Sequence, residues 1–362
     1  MATGTYVVEC DWSNNGDYAG TGEDITAHTL EAAWWRGRDL ASQLDGRSRG
    51  GRCTVMLNNE SGDYSPFNAS SPLTGLLLPG RKVRIRSTAP TAQTLWTGFL
   101  DKIQPLPGIH VNKARLEAVG PLAYLNQKQV SLAMKTTQLS GTLIGDLLTE
   151  AGWPVADRTL DAGQYTLARF WADRLLTLSA LREVEDTESG WLLEAKDGKV
   201  VFEDRHHRLK GAHLTSQATF TDAAGGARVY SGMGQEDPLQ FIYNDLRATI
   251  RRYTVGSVAV LWTHPESGAN SPSIEPGQSK AFWASYPNPD SATDAIAVDA
   301  WTTPAATTDY LANAAAAGTG TNLTVDISVA VSKFGRAMKI TLTNNGALLA
   351  YMTLLQARGT PI

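Results

Sequence analysis

The run Pro79-Gly80-Arg81-Lys82-Val83-Arg84-Ile85-Arg86 carries the clearest structural signal in the first third of the chain. Successive side chains of a strand alternate between its faces. Val83 and Ile85 therefore fall on one side, and Lys82, Arg84 and Arg86 on the other. The preceding Pro79-Gly80 is turn chemistry, because proline presets φ and glycine accepts a positive one. The same reading extends outward. Residues 53–57, 95–100 and 115–119 are short runs rich in β-branched or apolar side chains, and Asp45-Gly46 and Pro107-Gly108 punctuate the gaps. Short strands at this spacing predict a small barrel or sandwich. Residues 58–71 lack periodicity and read as a long ordered loop.

The middle of the chain changes period. Leu143, Ile144, Leu147, Leu148 and Ala151 share one helical face, Ser140 stands where a helix cap belongs, and Gly152-Trp153-Pro154 is a stop. A second helix is predicted over about 171–187, with Leu175, Leu178, Leu181 and Val184 inward, ending before Ser189-Gly190. Residues 191–195 and 199–203 flank Asp197-Gly198, which signals a hairpin. The last third returns to β. Residues 245–253 read as a strand, and 264–290, rich in Pro, Ser, Gly and Asn, as a loop or hairpin insertion. Leu323, Val325, Ile327, Val329 and Val331 alternate without a break. Residues 338–343 and 348–354 around Asn345-Gly346 predict a second hairpin, and the alanines of 312–317 one helical turn. The expected fold is mainly β with a small α+β part: an N-terminal β-barrel domain over 1–125, a two-helix plus hairpin domain over 126–215, and a C-terminal β-barrel or β-sandwich over 216–362.

Composition narrows the class. A chain of 362 residues exceeds one ordinary core. Hydrophobic residues at 42% and charged residues at 19% are globular values that argue against long disorder. A formal charge of -4 gives no basic footprint for nucleic acid or a membrane surface. The first residues lack a basic start with an apolar stretch, and no window nears the roughly 18 apolar residues of a span. Neither a secretion signal nor a membrane segment is expected. Cys10 and Cys53 read as small buried side chains, with a disulfide between them left open.

A search for chemistry returns no specific site. There is no GxSxG elbow, phosphate loop or dinucleotide fingerprint. Neighbours on a strand point apart, so His206 and His207 do not chelate together. His28, His110, His213 and His264 are isolated. Asp11-Trp12-Ser13-Asn14-Asn15-Gly16-Asp17 has a calcium-loop flavour, but its twelfth position is Gly22 rather than glutamate, so it reads as a polar turn. Glu183, Glu185, Asp186 and Glu188 read as a solvated helix face, with a channel lining that repels DNA as the alternative. No catalytic residue, cofactor or metal is expected, and the protein reads as no enzyme. Trp34-Trp35-Arg36-Gly37-Arg38-Asp39 is the densest aromatic and arginine cluster. One ring is expected in the core and the other at a contact, which makes Trp34, Trp35, Arg36 and Arg38 the interface candidates.

In order, several segments make a pattern: Asp24-Ile25-Thr26, Trp34-Trp35-Arg36-Gly37-Arg38-Asp39, Gly51-Arg52-Cys53-Thr54-Val55-Met56-Leu57-Asn58-Asn59, Asp63-Tyr64-Ser65-Pro66-Phe67-Asn68, Leu77-Leu78-Pro79-Gly80-Arg81, Trp96-Thr97-Gly98-Phe99-Leu100-Asp101 and Glu117-Ala118-Val119-Gly120-Pro121-Leu122. This order resembles the N-terminal part of the minor tail, or baseplate hub, proteins of long-tailed phages and prophages. The likeness continues through Leu181-Arg182-Glu183-Val184-Glu185, the Asp197-Gly198 hairpin, Tyr243-Asn244-Asp245 and the stretch from Thr343 to Gly359. It implies two small β-barrels per chain, a homotrimeric ring with pseudo-sixfold symmetry, and a place at the tail tip of the virion. The ring would join the distal tail or tube protein to a central spike or fibre. It would line the path of the DNA, and the same resemblance implies the tape-measure protein as a further partner. The chain ends at Ile362, so no fused fibre or lysozyme extension is expected. The competing reading is a carbohydrate-binding tail or surface module, with stacking tryptophans between Trp262 and Trp301. A cell-wall hydrolase is the weakest alternative, for no pocket motif accompanies any carboxylate pair.

Overall fold

The structure, a computed structural model, describes residues 5–38, 47–89, 91–109, 111–216, 218–222, 255–264, 270–286 and 297–362, with 228, 232 and 247 besides. The Asp45-Gly46 turn, His110 and most of the strand expected over 245–253 lie outside the described residues. The fold is mainly β with a small helical part, and the chain divides into two compact units. Unit 1 holds residues Met1–Val130, Thr137–Ala168 and Arg174–Asp245, and unit 2 holds Ser131–Thr136, Arg169–Asp173 and Leu246–Ile362. Among the described residues no helix is long and apolar enough to cross a membrane.

Unit 1 is organised by a six-stranded antiparallel sheet of β1 (Thr5–Cys10), β2 (Thr29–Arg38), β3 (Ser48–Asn58), β4 (Lys82–Ala89), β5 (Gln93–Leu106) and β6 (Lys113–Val119), in the order β1-β4-β5-β6-β3-β2. The expected alternation holds on β4: Val83 and Ile85 are fully buried, while Arg84 and Arg86 on the other face clasp Glu9 of β1. Cys53, Val55 and Leu57 of β3, Trp96 and Leu100 of β5, and Ala114, Leu116 and Ala118 of β6 meet in the same core. Tyr64, Leu73 and Leu77 join it from the loop after β3. That loop is ordered by hydrogen bonds: Asn59 Nδ2 donates to Ser65 Oγ and its Oδ1 accepts from Tyr64 N, while Asn68 Nδ2 donates to Gly62 O and Ser71 Oγ to Asp63 O. Both cysteines are free and buried.

The helical part follows: α1 (Pro121–Leu125), β7 (Gln129–Val130), β8 (Lys135–Leu139), α2 (Ser140–Glu150), β9 (Arg158–Leu160), β10 (Thr166–Phe170), β11 (Leu175–Leu176), α3 (Thr177–Glu188), β12 (Trp191–Glu194) and β13 (Val200–Glu203). Leu143, Ile144, Leu147 and Leu148 of α2 are fully buried, as their spacing required. Strands β12 and β13 form the expected hairpin, with Gly198 at φ +84°, and β9 adds parallel to β13.

Two local expectations fail here. Ser140 does not cap α2, because its hydroxyl donates to Glu188 at 2.7 Å. The second helix begins at Thr177 rather than near Trp171. Arg174 takes φ +52°, Leu175 and Leu176 pair with Val130 and Gln129, and the Thr177 hydroxyl donates to the Lys128 carbonyl. Pairing with β7 claims the backbone that the apolar spacing had assigned to a helix.

Unit 2 contains two sheets around one core. In the first, β14 (Ala259–Thr263), β15 (Ser273–Ile274), β17 (Val298–Trp301) and β18 (Tyr310–Asn313) all pair antiparallel with the long β21 (Ala350–Pro361). The second has the order β16 (Ser279–Ser285), β20 (Ala337–Asn344), β19 (Ile327–Lys333). Phe282, Ala284, Met338, Ile340 and Leu342 from one sheet pack with Val298, Trp301, Met352 and Leu355 from the other.

Four expectations are corrected in this unit. Asn345-Gly346 is not a hairpin turn, for β20 and β21 belong to different sheets. A two-residue hairpin turn of the Asn-Gly type needs positive φ at both residues, and neither Asn345 nor Gly346 has it. Instead the buried Asn344 amide donates to Ile274 O and Leu348 O, and its oxygen accepts from Gly346 N, which fixes the crossing. The alternating run starting at Leu323 is a strand only from Ile327 onward. Thr324–Asp326 is a turn of 3-10 helix, which leaves Val325 exposed. Ala312 lies in a strand, and no helical turn follows it. Residues 279–285, expected in a loop or a hairpin insertion, form a strand that pairs with distant β20 and not within a local hairpin, because Phe282 and Ala284 alternate into the core.

Candidate docking edge and buried carboxylates

The interface candidates sit on β2, at one end of the six-stranded sheet. Trp34 lies opposite Cys53, and Trp35 opposite Arg52. The two rings point to opposite faces, as neighbours on a strand must. Neither enters the core: Trp34 is 37% exposed and Trp35 46%. The correction follows from the position of β2. An edge strand is covered from one side only, so the inward-pointing Trp34 meets Tyr6 of β1, with ring centroids 6.4 Å apart, rather than a closed interior. Arg36 is exposed, and its guanidinium approaches the Glu194 carbonyl at 3.5 Å. Arg38 ends the strand opposite Ser48, and its side chain lies outside the described residues.

On the outer face, a shallow depression of about 310 Å³ is lined by Glu31, Ala33, Thr54, Met56, Arg115 and Glu117. Lys102 and Arg115 both approach Glu117, at 3.1 and 3.8 Å. Tyr6, on the inward side with Trp34, and Arg52, on the outer face with Trp35, escape sequence reasoning. Pairing of β3 with β2 sets Arg52 beside Trp35, and a ring contact across the curled sheet sets Tyr6 beside Trp34; no local pattern carries either placement.

The acidic cluster is not the solvated face it resembled. Glu183 and Asp186 are exposed, but Glu185 and Glu188 are buried. Glu188 accepts from Ser140 Oγ at 2.7 Å, Tyr165 N at 2.8 Å, Arg205 Nε at 3.1 Å and Gln164 N at 3.2 Å. Burial pushes its carboxyl up, and these donors together outweigh it, which holds the pKa below the usual carboxylate value. Glu185 takes Arg182 at 2.5 Å and Leu192 N at 2.6 Å. The period of α3 turns these two acids inward, where β12 and the segment around Gln164 supply donors.

Glu194 extends the pattern. Its oxygens accept from Gly51 N and Leu122 N, each at 2.7 Å, and so satisfy the start of α1. Burial dominates and raises its pKa. A Cβ on Gly120 would lie 2.3 Å from this carboxylate, so a side chain there would push the carboxylate off its donors.

His206 and His207 also separate. His206 is exposed, whereas His207 Nδ1 sits 2.7 Å from Asp161 Oδ2 and its ring lies 4.8 Å from that of His213. No group of three metal-type side chains suited to an ion occurs among the described residues. In the turn after β1, Asp11 accepts from Asn15 N and Gly16 N, and Glu23 from Ser13 N and Gly20 N. Its carboxylates organise backbone, as a polar turn does. Among the tryptophans from Trp262 to Trp301, Trp301 is buried and donates to Phe334 O, and Trp283 is the exposed one. Trp262 is half-buried.

No family model matches the sequence, and no curated protein matches it. Solved structures do. A 43 kDa tail protein of prophage MuSo2 from Shewanella oneidensis is 14% identical, with a TM-score of 0.34 over 56% of this chain and 54% of that one. A tail protein from Neisseria meningitidis MC58 is 12% identical, with a TM-score of 0.37 over 54% and 50%. A chain of the half-lidded Francisella PdpA–VgrG complex is 9% identical, with a TM-score of 0.38 over 95% of this chain and 58% of that one. The structural neighbours are thus tail proteins and a VgrG complex. This chain spans about half the length of the two tail proteins, and the likeness assigns no residue a role.

Proposed function

We propose that this chain is a tail-tip, or baseplate, hub of a long-tailed phage or prophage, working by assembly rather than chemistry. The observation that carries the reading is the division of one chain into two β-rich units, each curled around its own core. Three such chains place six β units around an axis, which suits docking of a homotrimer on a hexameric tail ring. The order of sequence segments quoted above supports the same reading. The N-terminal 1–125 and C-terminal 216–362 regions serve as the ring-forming domains, with 126–215 as the smaller domain. The hub joins the tube or distal tail protein to a spike or fibre at the virion tip and lines the DNA passage. Trp34, Trp35, Arg36 and Arg38 form a contact with a tail component.

The buried carboxylates fit a non-enzymatic role, because each is consumed by internal donors. Sedimentation of the purified chain and cryo-electron microscopy with co-expressed tail proteins test the proposal. A trimer that co-assembles supports it, and a monomer that joins no tail protein rejects it.

A further inference from the structure

The edge of β2 combines three properties. Its ten residues pair with β3 on one side, and among the described residues no strand pairs on the other. An open edge offers a row of N–H and C=O groups to an incoming extended chain. Large apolar side chains, Leu30, Trp34 and Trp35, are exposed along it. Charge is polarised: Glu31 stands near the beginning, whereas Arg36 stands near the end, with Arg52 opposite Trp35. Arg36 meets a carbonyl rather than a carboxylate, so that contact leaves its charge unneutralised.

We propose that β2 takes up an extended acidic segment of a partner protein as an added strand. Its carboxylates would lie against Arg36 and Arg52, and its apolar side chains beside Trp34 and Trp35. A nucleic acid would use the arginines and rings, but it cannot continue a main-chain ladder. The inference rests on reading this patch as a contact surface, and not on the tail-tip assignment.

The test uses the full chain and a short fluorescent peptide of alternating valine and glutamate. Its comparators are the lysine counterpart, a version N-methylated on alternate amides, and oligothymidylate. Anisotropy should show the glutamate peptide binding at least about tenfold tighter than the lysine one, with binding lost on N-methylation. Arg52→Glu should weaken binding about tenfold without moving the thermal melt. If that variant melts lower, Arg36→Ser supplies the same comparison. Equal binding of both charges, retained binding after N-methylation, a preference for oligothymidylate, no binding, or self-association that hides the edge would each overturn the inference. Failed peptide binding in a chain that co-assembles with tail proteins rejects strand addition alone. Peptide binding in a chain that does not co-assemble rejects the tail-tip reading alone.

Discussion

Replacing Glu188 by alanine should destabilise unit 1 far more than a surface substitution on the same helix. The carboxylate is fully buried and accepts from two backbone amides, Gln164 and Tyr165, and from Ser140 and Arg205. Each buried donor left without a partner costs about 1–3 kcal/mol. Arg205 is partly exposed and recovers water, so the backbone amides and Ser140 carry most of the loss. A total of about 3–5 kcal/mol is expected, in the range for breaking a buried pair. Glu188→Gln keeps the shape but turns an NH2 toward donors, and should lose about 2–3 kcal/mol. Asp186→Ala, at an exposed position, should lose less than about 1 kcal/mol.

Urea unfolding followed by circular dichroism measures the totals. Hydrogen exchange of peptides covering 140–150 and 160–170 locates them. The pH dependence has a fixed sign. The folded pKa of Glu188 is depressed, so its stabilisation is present above the unfolded carboxylate value and fades as pH falls through the folded one. The gap between wild type and Glu188→Gln should therefore be widest near neutrality and narrow below about pH 4. A Glu188→Ala protein that unfolds with the wild type, or a gap that ignores pH, would refute the reasoning.

Three further outcomes are expected. Gly120→Ala should lower stability by about 1–3 kcal/mol in thermal melts, since its Cβ would intrude on the Glu194 carboxylate. Asn344→Ala removes three hydrogen bonds at the crossing between the sheets of unit 2 and should cost about 2–3 kcal/mol, with faster amide exchange over 345–350. Burial pushes the Cys53 thiol up to about 12 and raises Cys10 as well, so neither should react with a thiol reagent at pH 8 until denaturant is added. Rapid labelling of the native protein would contradict the buried, free state of both.

Strand β4 and the Asp197-Gly198 hairpin were legible because their information is local. Alternation over a few residues sets which side chains share a face, and a glycine in a tight turn sets where the chain reverses. The core face of α2 was legible for the same reason. The mainly β class follows from these short-range patterns. The edge cluster was legible as a composition, since adjacent tryptophans and arginines stand out in any window.

What sequence alone did not reach is what covers each face. Trp34 and Trp35 are both exposed because β2 is an edge, and strand order is decided by pairings far apart along the chain. Asn345-Gly346 became a crossing between sheets because Asn344 found buried carbonyls at Ile274 and Leu348. Glu185 and Glu188 look in a window like a hydrated helix face. Tertiary packing buries them, and it is tolerable because Ser140, Gln164, Tyr165 and Leu192 deliver donors from elsewhere. Local periodicity set the inward faces of β4 and α2. Nonlocal burial and donor supply, which depend on the neighbours each element acquires, decided its edges, its crossings and its buried charges.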